Sequence, residues 1–342
     1  MRAFITGVAG PALINEERQF LREAEPWGLI VFARNIAGPD PLRRLIGEFR
    51  SVVGRDAPVL IDQEGGRVQR LGPPHWPKYP AGAAYGALYD QDRATGLAAA
   101  RLGARLIASD LADLGIDVDC LPLADVPVPG SDAVIGDRAY GTEPGKVAAI
   151  AGAIAEGLAD GGVLPVLKHI PGHGRATADS HKRLPRVGTD RATLETTDFA
   201  AFRPLAGLPL GMTAHVVFSA IDPVAPATLS AAIVGGVIRD SIGFRGLLMS
   251  DDISMQALSG SPSERSAAAI AAGCDMVLHC NGELAEMRAV AAAVPVLAGA
   301  AARRAAAALA TKRPPLPFDI AAGRAEFSRL MKGTWPSAEV VA

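Results

Sequence analysis

Eight short apolar runs organise this sequence, each ending in polar or glycine residues and separated from the next by a stretch of helical period. Such an alternation is typical of parallel βα units, in which the strands are buried on both faces. Eight consecutive units predict an α/β fold, a single (β/α)8 barrel of the TIM type. The runs are Arg2 to Thr6, Gly28 to Phe32, Pro58 to Ile61, Ile116 to Leu121, Leu164 to Leu167, Leu210 to Thr213, Gly246 to Met249 and Cys274 to Leu278.

Stretches of helical period lie between these runs and after the last one. We find no internal repeat and no sharp change in composition, which favours one catalytic barrel domain over residues 1–342. We expect the barrel to occupy about residues 1–312, because the prolines that follow end the last long helix, and residues 313–342 to form a C-terminal extension packed on it. The expected helices are Pro41 to Val53, Ala94 to Leu114, Lys146 to Asp160, Leu194 to Leu205, Glu264 to Ala272 and an Ala-rich stretch from Leu284 to Lys312.

The composition argues against several classes of function. With 49% hydrophobic residues the chain can bury a large core, and its formal net charge of −2 offers no basic face for a nucleic acid. The three cysteines are scattered and odd in number, which fits reduced thiols. No run approaches the ~18 apolar residues that a membrane-spanning helix needs. We therefore expect a cytoplasmic protein that acts on a small molecule. We also expect a monomer, because no coiled coil or long apolar edge is visible in the sequence, and we expect no cofactor.

Polar residues follow the ends of five of the apolar runs. They include Arg34 and Asn35 after the second run, the segment from Asp62 to Arg67 after the third, and Lys168 with His169 after the fifth. His215 follows the sixth run. Because the carboxyl ends of parallel barrel strands share one face, we expect the active site there.

The segment from Lys168 to His181 holds three of the six histidines in sequence broken by glycine and proline, which predicts a loop over the site. Its Asp179-x-His181 pair has the parts of an imidazole oriented by a carboxylate, although a loop salt bridge is the plainer interpretation. A metal site is a further alternative. A metal-dependent barrel hydrolase would use His169, His173, His181 and Asp179, but the glycines and proline argue against ligands spaced along a helix face.

Two carboxylates, Asp251 and Asp252, directly follow the seventh run. Because successive side chains of a strand point to opposite faces, only one of them is expected to face a pocket. The alternative is that one caps the next helix and the other is solvated. Both interpretations can hold together, with Asp251 turned inward and Asp252 in a supporting hydrogen bond.

The segment from Asp62 to Arg70 combines two carboxylates and two arginines around a Gly-Gly turn. Such groups suit sugar hydroxyls, and the alternative is a structural ion-pair cluster at the rim of the barrel. Arg138, in the loop after the fourth run, either reaches the pocket or pairs with Asp132 or Asp137. To His215 we assign only substrate contact or packing.

Three segments, residues 61–71, 168–181 and 249–255, together resemble those of the glycoside hydrolase family 3 β-N-acetylglucosaminidases of bacterial cell-wall recycling. They occur in the same order and spacing, and the similarity spans about residues 1–310. The resemblance implies a retaining exo-β-N-acetylglucosaminidase, a β-N-acetylhexosaminidase, that removes terminal N-acetylglucosamine from muropeptides such as GlcNAc-1,6-anhydro-MurNAc peptides. It also implies a part in peptidoglycan recycling, and through it in cell-wall biogenesis, cell shape and cell division.

The resemblance implies catalytic roles as well. Asp251 corresponds to the nucleophile, and His181, supported by Asp179, corresponds to the acid/base. A non-catalytic amino-sugar binding protein is the remaining alternative. The positions implied to hold the N-acetylglucosamine ring are Asp62, Arg70, Arg138, Lys168 and His169.

The sequence departs from the family pattern at two positions of the predicted loop. Ile170 stands where an aromatic residue is common, and Arg175 stands where an acidic residue is usual. Neither is a catalytic position, so these departures concern the packing of the loop. The chain also resembles the short members of the family, without a second α/β domain.

Overall fold

The computed structural model describes residues 1–180, 183–333 and 335. Eight parallel strands close into a barrel, with each strand beside the next in sequence and the eighth beside the first, so the predicted fold class is confirmed. The barrel strands are β1 (Arg2–Thr6), β2 (Pro26–Val31), β3 (Val59–Ile61), β4 (Val118–Asp119), β5 (Leu164–Ile170), β6 (Leu210–Thr213), β7 (Leu247–Asp252) and β8 (Met276–His279).

Helices surround the barrel. Ile233–Ser241, between β6 and β7, is a π-helix, and short 3-10 helices occur in several loops. The α-helices are α1 (Asn15–Ala24), α2 (Pro39–Val53), α3 (Gly82–Gln91), α4 (Arg93–Asp113), α5 (Pro144–Asp160), α6 (Arg191–Thr196), α7 (Asp198–Phe202), α8 (Pro262–Ala272), α9 (Leu284–Ala293), α10 (Gly299–Ala310) and α11 (Ile320–Leu330).

Two strands continue three residues beyond their predicted ends. Strand β5 continues to Ile170, so Lys168 and His169 lie in the strand and not in the loop. Strand β7 continues through Asp252. In both cases polar residues occupy the last strand positions, where side chains reach the open end of the barrel and need no apolar partner.

One predicted helix is divided in two. The stretch from Leu284 to Lys312 breaks between α9 and α10, where Pro295 cannot donate a hydrogen bond to a helix. The non-helical residues at the break also bind the first strand region. The carbonyl of Pro295 accepts the N–H of Ala3, and the N–H of Leu297 donates to the carbonyl of Met1. Strand β1 is thereby tied to the chain that follows α9.

The helix predicted over Leu194 to Leu205 is also interrupted. Thr197 separates α6 from α7 with φ −119° and ψ −85°, a non-helical conformation, and a 3-10 turn follows at Arg203–Leu205. The sequence interpretation missed α1 and α3. Helix α3 is rich in small residues, and alternation of polar and apolar residues is weak along it.

Two apolar layers hold the barrel together. The first fills its interior with residues such as Ile5, Leu60, Val166 and Met249, all buried. The second lies between the strands and the helices and includes Phe4, Leu29 and Val277. All three cysteines are buried and free. The alternation of inward and outward side chains along each strand produces both layers.

The segment after the barrel contacts α3 and α4. The Phe327 ring of α11 lies 6.4 Å from that of Tyr85, and the Trp335 ring stacks on Tyr79 at 6.0 Å. The indole N–H of Trp335 donates to the carbonyl of Lys78 at 3.0 Å. The extent of the catalytic domain over the whole chain stays a prediction. Among the described residues, no helix is long and apolar enough to cross a membrane.

Helices α4 and α5 approach each other closely at Gly157. A Cβ atom at this position would lie 2.1 Å from the carbonyl oxygen of Arg101 and 3.0 Å from the Cβ of Ala104. Gly152, in the same helix, has only a side-chain atom of Leu205 at 3.7 Å. The two glycines therefore differ in packing although they share one helix.

We expect Gly157→Ala to lower the free energy of unfolding by about 1–3 kcal/mol, because the new methyl group forces the two helix backbones apart. Gly152→Ala is the matched control and should leave stability unchanged or raise it by up to about 1 kcal/mol through helix propensity. Thermal and urea unfolding of both variants test this. Equal stability of the two variants would contradict the close contact at Gly157.

Candidate active site

The carboxyl ends of the barrel strands surround a cavity of about 620 Å³. Its walls come from the ends of strands and from the loops after β3, β4, β5, β7 and β8. Of the residues predicted for the site, the described ones all line it, and His181 lies outside the described residues. Those in the lining are Asp62, Arg70, Arg138, Lys168, His169, Asp179 and Asp251.

Lys168 is the centre of an ion-pair cluster on the cavity floor. Its side chain is only 2% exposed, and its Nζ lies 3.0 Å from Oδ1 of Asp62 and 2.6 Å from Oε1 of Glu64. Asp62 also accepts from Arg70 at 3.1 Å. Glu64 accepts from Nη2 and Nε of Arg138 at 2.8 and 2.9 Å, a bidentate pair.

This arrangement bears on two questions left open by the sequence. Arg138 reaches the cavity and pairs with Glu64, whereas Asp137 pairs with Arg67 at 3.0 Å. The residues after β3 form an ion-pair cluster, as one interpretation expected, and Asp62 and Arg70 of this cluster also line the cavity. Their binding of sugar hydroxyls stays a prediction. Glu64 was named in that motif but given no separate position in the site.

The cluster keeps its carboxylates charged. Burial alone would raise the pKa of Glu64, but Arg138 and Lys168 outweigh it and lower the pKa to about 2. Burial likewise opposes the charged form of Asp62, and Lys168 and Arg70 hold the pKa of that carboxyl well below its usual range. Burial would lower the pKa of Lys168, but Glu64 and Asp62 raise it above its usual value.

Asp125 holds the ring of His169 and the backbone of His173 beside this cluster. Its Oδ2 lies 2.7 Å from Nδ1 of His169, and its Oδ1 accepts the backbone N–H of His173 at 2.6 Å. With Nδ1 of His169 engaged, its Nε2 is left for the cavity. The sequence interpretation missed Asp125, although this carboxylate follows the fourth apolar run as other site residues follow theirs.

His173 is held differently. Its Nε2 lies 3.1 Å from Oγ of Ser180, and its Nδ1 has no hydrogen-bond partner in the described part of the chain. Burial and the neighbouring His169 lower the pKa of His173 to about 4, so the ring is neutral near pH 7. It packs edge-on against His169 with ring centroids 5.8 Å apart.

Asp251 and Asp252 both contribute to the cavity lining, but the carboxylate of Asp252 is held in hydrogen bonds. This agrees with the expectation that combines an inward Asp251 with an Asp252 in a supporting hydrogen bond. The register of β7 against β8 shifts between Met249 and Asp252, which interrupts the strict alternation of faces. The two carboxylates still differ in their bonds. Oδ1 of Asp252 accepts from the N–H groups of Ser254 and Cys280, at 3.0 and 3.1 Å, and its Oδ2 accepts from Oγ of Ser254.

Asp251 makes fewer hydrogen bonds. Its Oδ1 accepts the backbone N–H of Asp252 at 2.8 Å. Burial would raise the pKa of this carboxyl, but its polar and cationic neighbours, among them the Asp252 N–H and Lys168, hold it below its usual value. Asp251 is therefore ionised near pH 7 and faces the cavity beside the ion-pair cluster.

The segment after β5 is anchored on several sides. Nε of Arg175 donates to Oδ2 of Asp198 at 2.6 Å, so the departure from the family pattern at this position creates a contact with α7. The carbonyl of Ala176 accepts the N–H of Asp132 at 2.8 Å. The carbonyl of Ser180 accepts the N–H of Ala257 at 3.2 Å, which links this segment to the turn after β7.

The proposed metal ligands do not form a ligand cluster within the described ranges. No group of three or more histidine, cysteine, aspartate or glutamate side chains suitable for a metal ion occurs among those residues. Nδ1 of His169 and Nε2 of His173 are instead engaged by Asp125 and Ser180.

Comparisons with known proteins agree on one family. Residues 7–309 match the family model of the glycosyl hydrolase family 3 N-terminal domain. A β-hexosaminidase of Alkalilimnicola ehrlichii is 41% identical over 279 residues, which are 80% of this chain and 79% of that protein. A β-hexosaminidase of Neisseria gonorrhoeae is 37% identical over 280 residues, 80% of this chain and 76% of that protein.

A solved structure supports the same assignment. The crystal structure of NagZ from Neisseria gonorrhoeae in complex with N-trifluoroacetyl-D-glucosamine has a TM-score of 0.84 and 30% sequence identity, and the match covers 97% of this chain and 96% of that one. The chain belongs to glycosyl hydrolase family 3. The predicted family and the predicted class of enzyme, a glycoside hydrolase, are confirmed.

The ion-pair cluster predicts how stability depends on pH. The pKa of Glu64 is lowered from 4.5 to about 2, so its contribution to stability is full above about pH 4.5 and is lost as the pH falls toward 2. We expect Glu64→Gln to lose about 3 kcal/mol at pH 7, because Arg138 and Lys168 then lack a buried carboxylate. The loss should shrink at lower pH.

Urea unfolding at pH 7 and at pH 3 measures both quantities. Glu326→Gln is the control, because Glu326 forms an exposed pair with Arg329. That variant should differ little from the wild type at either pH. A deficit in Glu64→Gln that stays constant from pH 7 to pH 3 would show that Glu64 is not held ionised in the folded protein.

Proposed function

We propose that this β-hexosaminidase relative is a retaining exo-β-N-acetylglucosaminidase. It removes terminal, non-reducing β-linked N-acetylglucosamine through a covalent glycosyl-enzyme. The observation that carries the proposal is that Asp251, ionised, shares one cavity with Asp179 and with the buried Lys168 cluster. A nucleophilic carboxylate beside charged groups suited to hydroxyls is the arrangement a retaining glycosidase needs.

Asp251 acts as the nucleophile in this proposal. Its Oδ1 accepts the Asp252 N–H, which leaves Oδ2 to form the bond to the anomeric carbon. The glycosidic bond breaks as that bond forms, and the leaving oxygen takes a proton. A low pKa suits this role because the carboxylate must be unprotonated to attack.

His181 supplies that proton in the proposal and then takes one from the water that hydrolyses the glycosyl-enzyme. This residue lies outside the described part of the chain, so its assignment rests on the Asp179-x-His181 motif and on the position of Asp179 in the cavity wall. A neutral imidazole base also adds no second negative charge beside Asp251. Asp179 would support the imidazolium form.

The remaining site residues hold the sugar. Asp62, in contact with both Lys168 and Arg70, presents a carboxylate flanked by donors, which matches a pair of vicinal hydroxyls. Arg138 and His169 complete the ring contacts. The NagZ structure contains N-trifluoroacetyl-D-glucosamine, an N-acylated glucosamine, which supports the same sugar here.

The aglycone we propose is a muropeptide, such as the anhydro-muramoyl peptide of GlcNAc-1,6-anhydro-MurNAc peptides, with a role in peptidoglycan recycling. The test is competition between that muropeptide and N,N′-diacetylchitobiose as substrates. A higher kcat/KM for the muropeptide supports the proposal, and a preference for chitobiose contradicts it. The cytoplasmic location and the monomeric state stay predictions.

The nucleophile is tested by Asp251→Asn. We expect it to lower kcat for 4-nitrophenyl N-acetyl-β-D-glucosaminide at least ~10⁴-fold, since the amide cannot form the glycosyl-enzyme. Release of 4-nitrophenol by wild type and variant is measured with a chelator present and with the β-glucoside as a control substrate. The thermal unfolding midpoint should stay within a few degrees.

Retained turnover in Asp251→Asn would indicate participation of the substrate acetamide instead. Wild-type activity that is lost in chelator and restored by zinc would favour the metal-dependent alternative. Saturable binding of N-acetylglucosamine without any product would favour the binding protein.

The acid/base is tested by His181→Ala. We expect a loss of about 10²–10⁴-fold with a poor leaving group, because the departing alkoxide then receives no proton. With an activated phenol, which leaves without protonation, the loss in the first step should be much smaller. Equal losses over a series of aryl glycosides of rising leaving-group pKa would argue against His181 as the acid.

A further inference from the structure

His215 is a buried histidine next to the proposed nucleophile. It has no role in the catalytic steps proposed for Asp251 and His181. Its side chain is 0% exposed, and it lies two residues beyond the end of β6. Both ring nitrogens have partners. Nδ1 lies 2.7 Å from Oγ1 of Thr228, and Nε2 lies 3.0 Å from the backbone carbonyl oxygen of Asp252.

The carbonyl partner fixes the direction of these hydrogen bonds. A carbonyl oxygen has no proton to give, so Nε2 of His215 donates to Asp252. Burial lowers the pKa of His215, which makes the ring neutral and leaves Nδ1 as an acceptor. The Thr228 hydroxyl can donate its one proton to this Nδ1 at 2.7 Å or to the carbonyl of Ala214 at 3.1 Å, and the shorter distance favours Nδ1. Oγ1 of Thr213 lies 2.8 Å from that of Thr228 and can donate to it in turn.

The hydrogen bond from His215 to the Asp252 carbonyl lies at the end of the strand that carries Asp251. Strand β7 pairs with β6 only at Leu247, Leu248 and Met249, so its last three residues have no ladder partners on the β6 side. On the other side they remain tied to β8, where the N–H of Leu278 donates to Oγ of Ser250 and the N–H of Ile253 donates to the carbonyl of Leu278.

His215 thus takes the place of the missing ladder on the β6 side. The peptide it binds follows directly on the one whose N–H donates to Oδ1 of Asp251. The same carbonyl of Asp252 accepts the N–H of Met255 at 3.2 Å, at the start of the turn that contacts Ser180 through Ala257. The bond from His215 therefore lies at the peptide that joins the end of β7 to the turn in contact with Ser180.

We propose that His215 is a positioning residue for the reaction, which fixes the end of β7 and so the direction of the Asp251 carboxylate. It touches no substrate in this role. The proposal rests on the proposed function of Asp251. A displaced carboxylate slows attack on the anomeric carbon but leaves the sugar contacts of the Lys168 cluster intact, so the effect is expected in kcat and not in KM.

Three substitutions distinguish the hydrogen bond that His215 donates to Asp252 from the packing contribution of its ring. His215→Phe keeps a ring but removes both hydrogen bonds. His215→Gln can place an amide N–H near the position of Nε2, whereas the shorter side chain of His215→Asn reaches only the position of Nδ1. We expect kcat to fall about 10- to 100-fold in His215→Phe and His215→Asn with KM within threefold, and to recover largely in His215→Gln.

His279→Phe is the matched control. His279 is also 0% exposed, lies at the end of the adjacent strand β8, and has its Nε2 3.2 Å from Glu286, away from Asp251. This variant should lose thermal stability while keeping kcat within threefold of the wild type. The assay is steady-state hydrolysis of 4-nitrophenyl N-acetyl-β-D-glucosaminide together with thermal unfolding of each variant.

The proposal is overturned if kcat follows the loss of stability alike in the His215 and His279 variants, or if Gln is no better than Asn. Asp251→Asn is assayed in parallel. If it retains turnover, the nucleophile assignment fails and the role of His215 fails with it. If it is inactive while His215→Phe keeps wild-type kcat, only the His215 proposal fails.

Discussion

The buried ammonium of Lys168 determines how the charged side chains of the site are arranged. An ammonium that is 2% exposed is tolerated only where carboxylates surround it, and Asp62 and Glu64 do so from the segment after β3. Each carboxylate then binds an arginine, so Arg70 and Arg138 are drawn to the same floor. One charge in strand β5 therefore fixes the positions of side chains from two other loops.

The cluster also explains how the cavity can be both charged and ordered. Because its cations and carboxylates bond to each other, they are held in place before a ligand arrives, and a sugar hydroxyl would meet groups already oriented. Asp251 stands apart from this network, with one oxygen engaged by a backbone N–H. That contrast is the physical basis for giving it the nucleophilic role and giving the cluster the binding role.

The sequence was informative about the barrel because strand and helix periods differ. Runs such as Leu210 to Thr213 coincide with an observed strand at both ends, and most of the others differ by one to three residues at either end. The long Ala-rich stretch was misread since alanine favours helix everywhere and does not mark where one helix stops. The break falls at Pro295, a signal that the sequence interpretation passed over, and the bonds of Pro295 to Ala3 and of Leu297 to Met1 hold the chain there.

The site was predictable where its residues stand at strand ends and unpredictable where their roles depend on a partner elsewhere in the chain. Asp125 and Glu64 look like ordinary acidic residues until the fold brings them to His169 and to Arg138. The partner of Arg138 could not be found among its neighbours in sequence, because that partner is Glu64, 74 residues away, and the neighbouring Asp137 pairs with Arg67. His215 shows the same limit, since its partner is a backbone carbonyl and a carbonyl has no signature in a sequence.

Arg175 shows how a departure from a family pattern can be absorbed by packing. Its guanidinium binds Asp198 of α7, which is 1% exposed, and Thr197 at 3.0 Å. Gly174, next to it, lies so near Val126 that a Cβ would be 2.2 Å from that backbone. Asp125 also accepts the N–H of His173, and the N–H of Ala257 donates to the carbonyl of Ser180. The segment that carries Asp179 is therefore tied to three parts of the structure, namely the start of α7, the loop after β4 and the turn after β7. A loop rich in glycine is thus held by bonds that its composition alone would not suggest, and Arg175 adds to them a charge partner that is nearly buried.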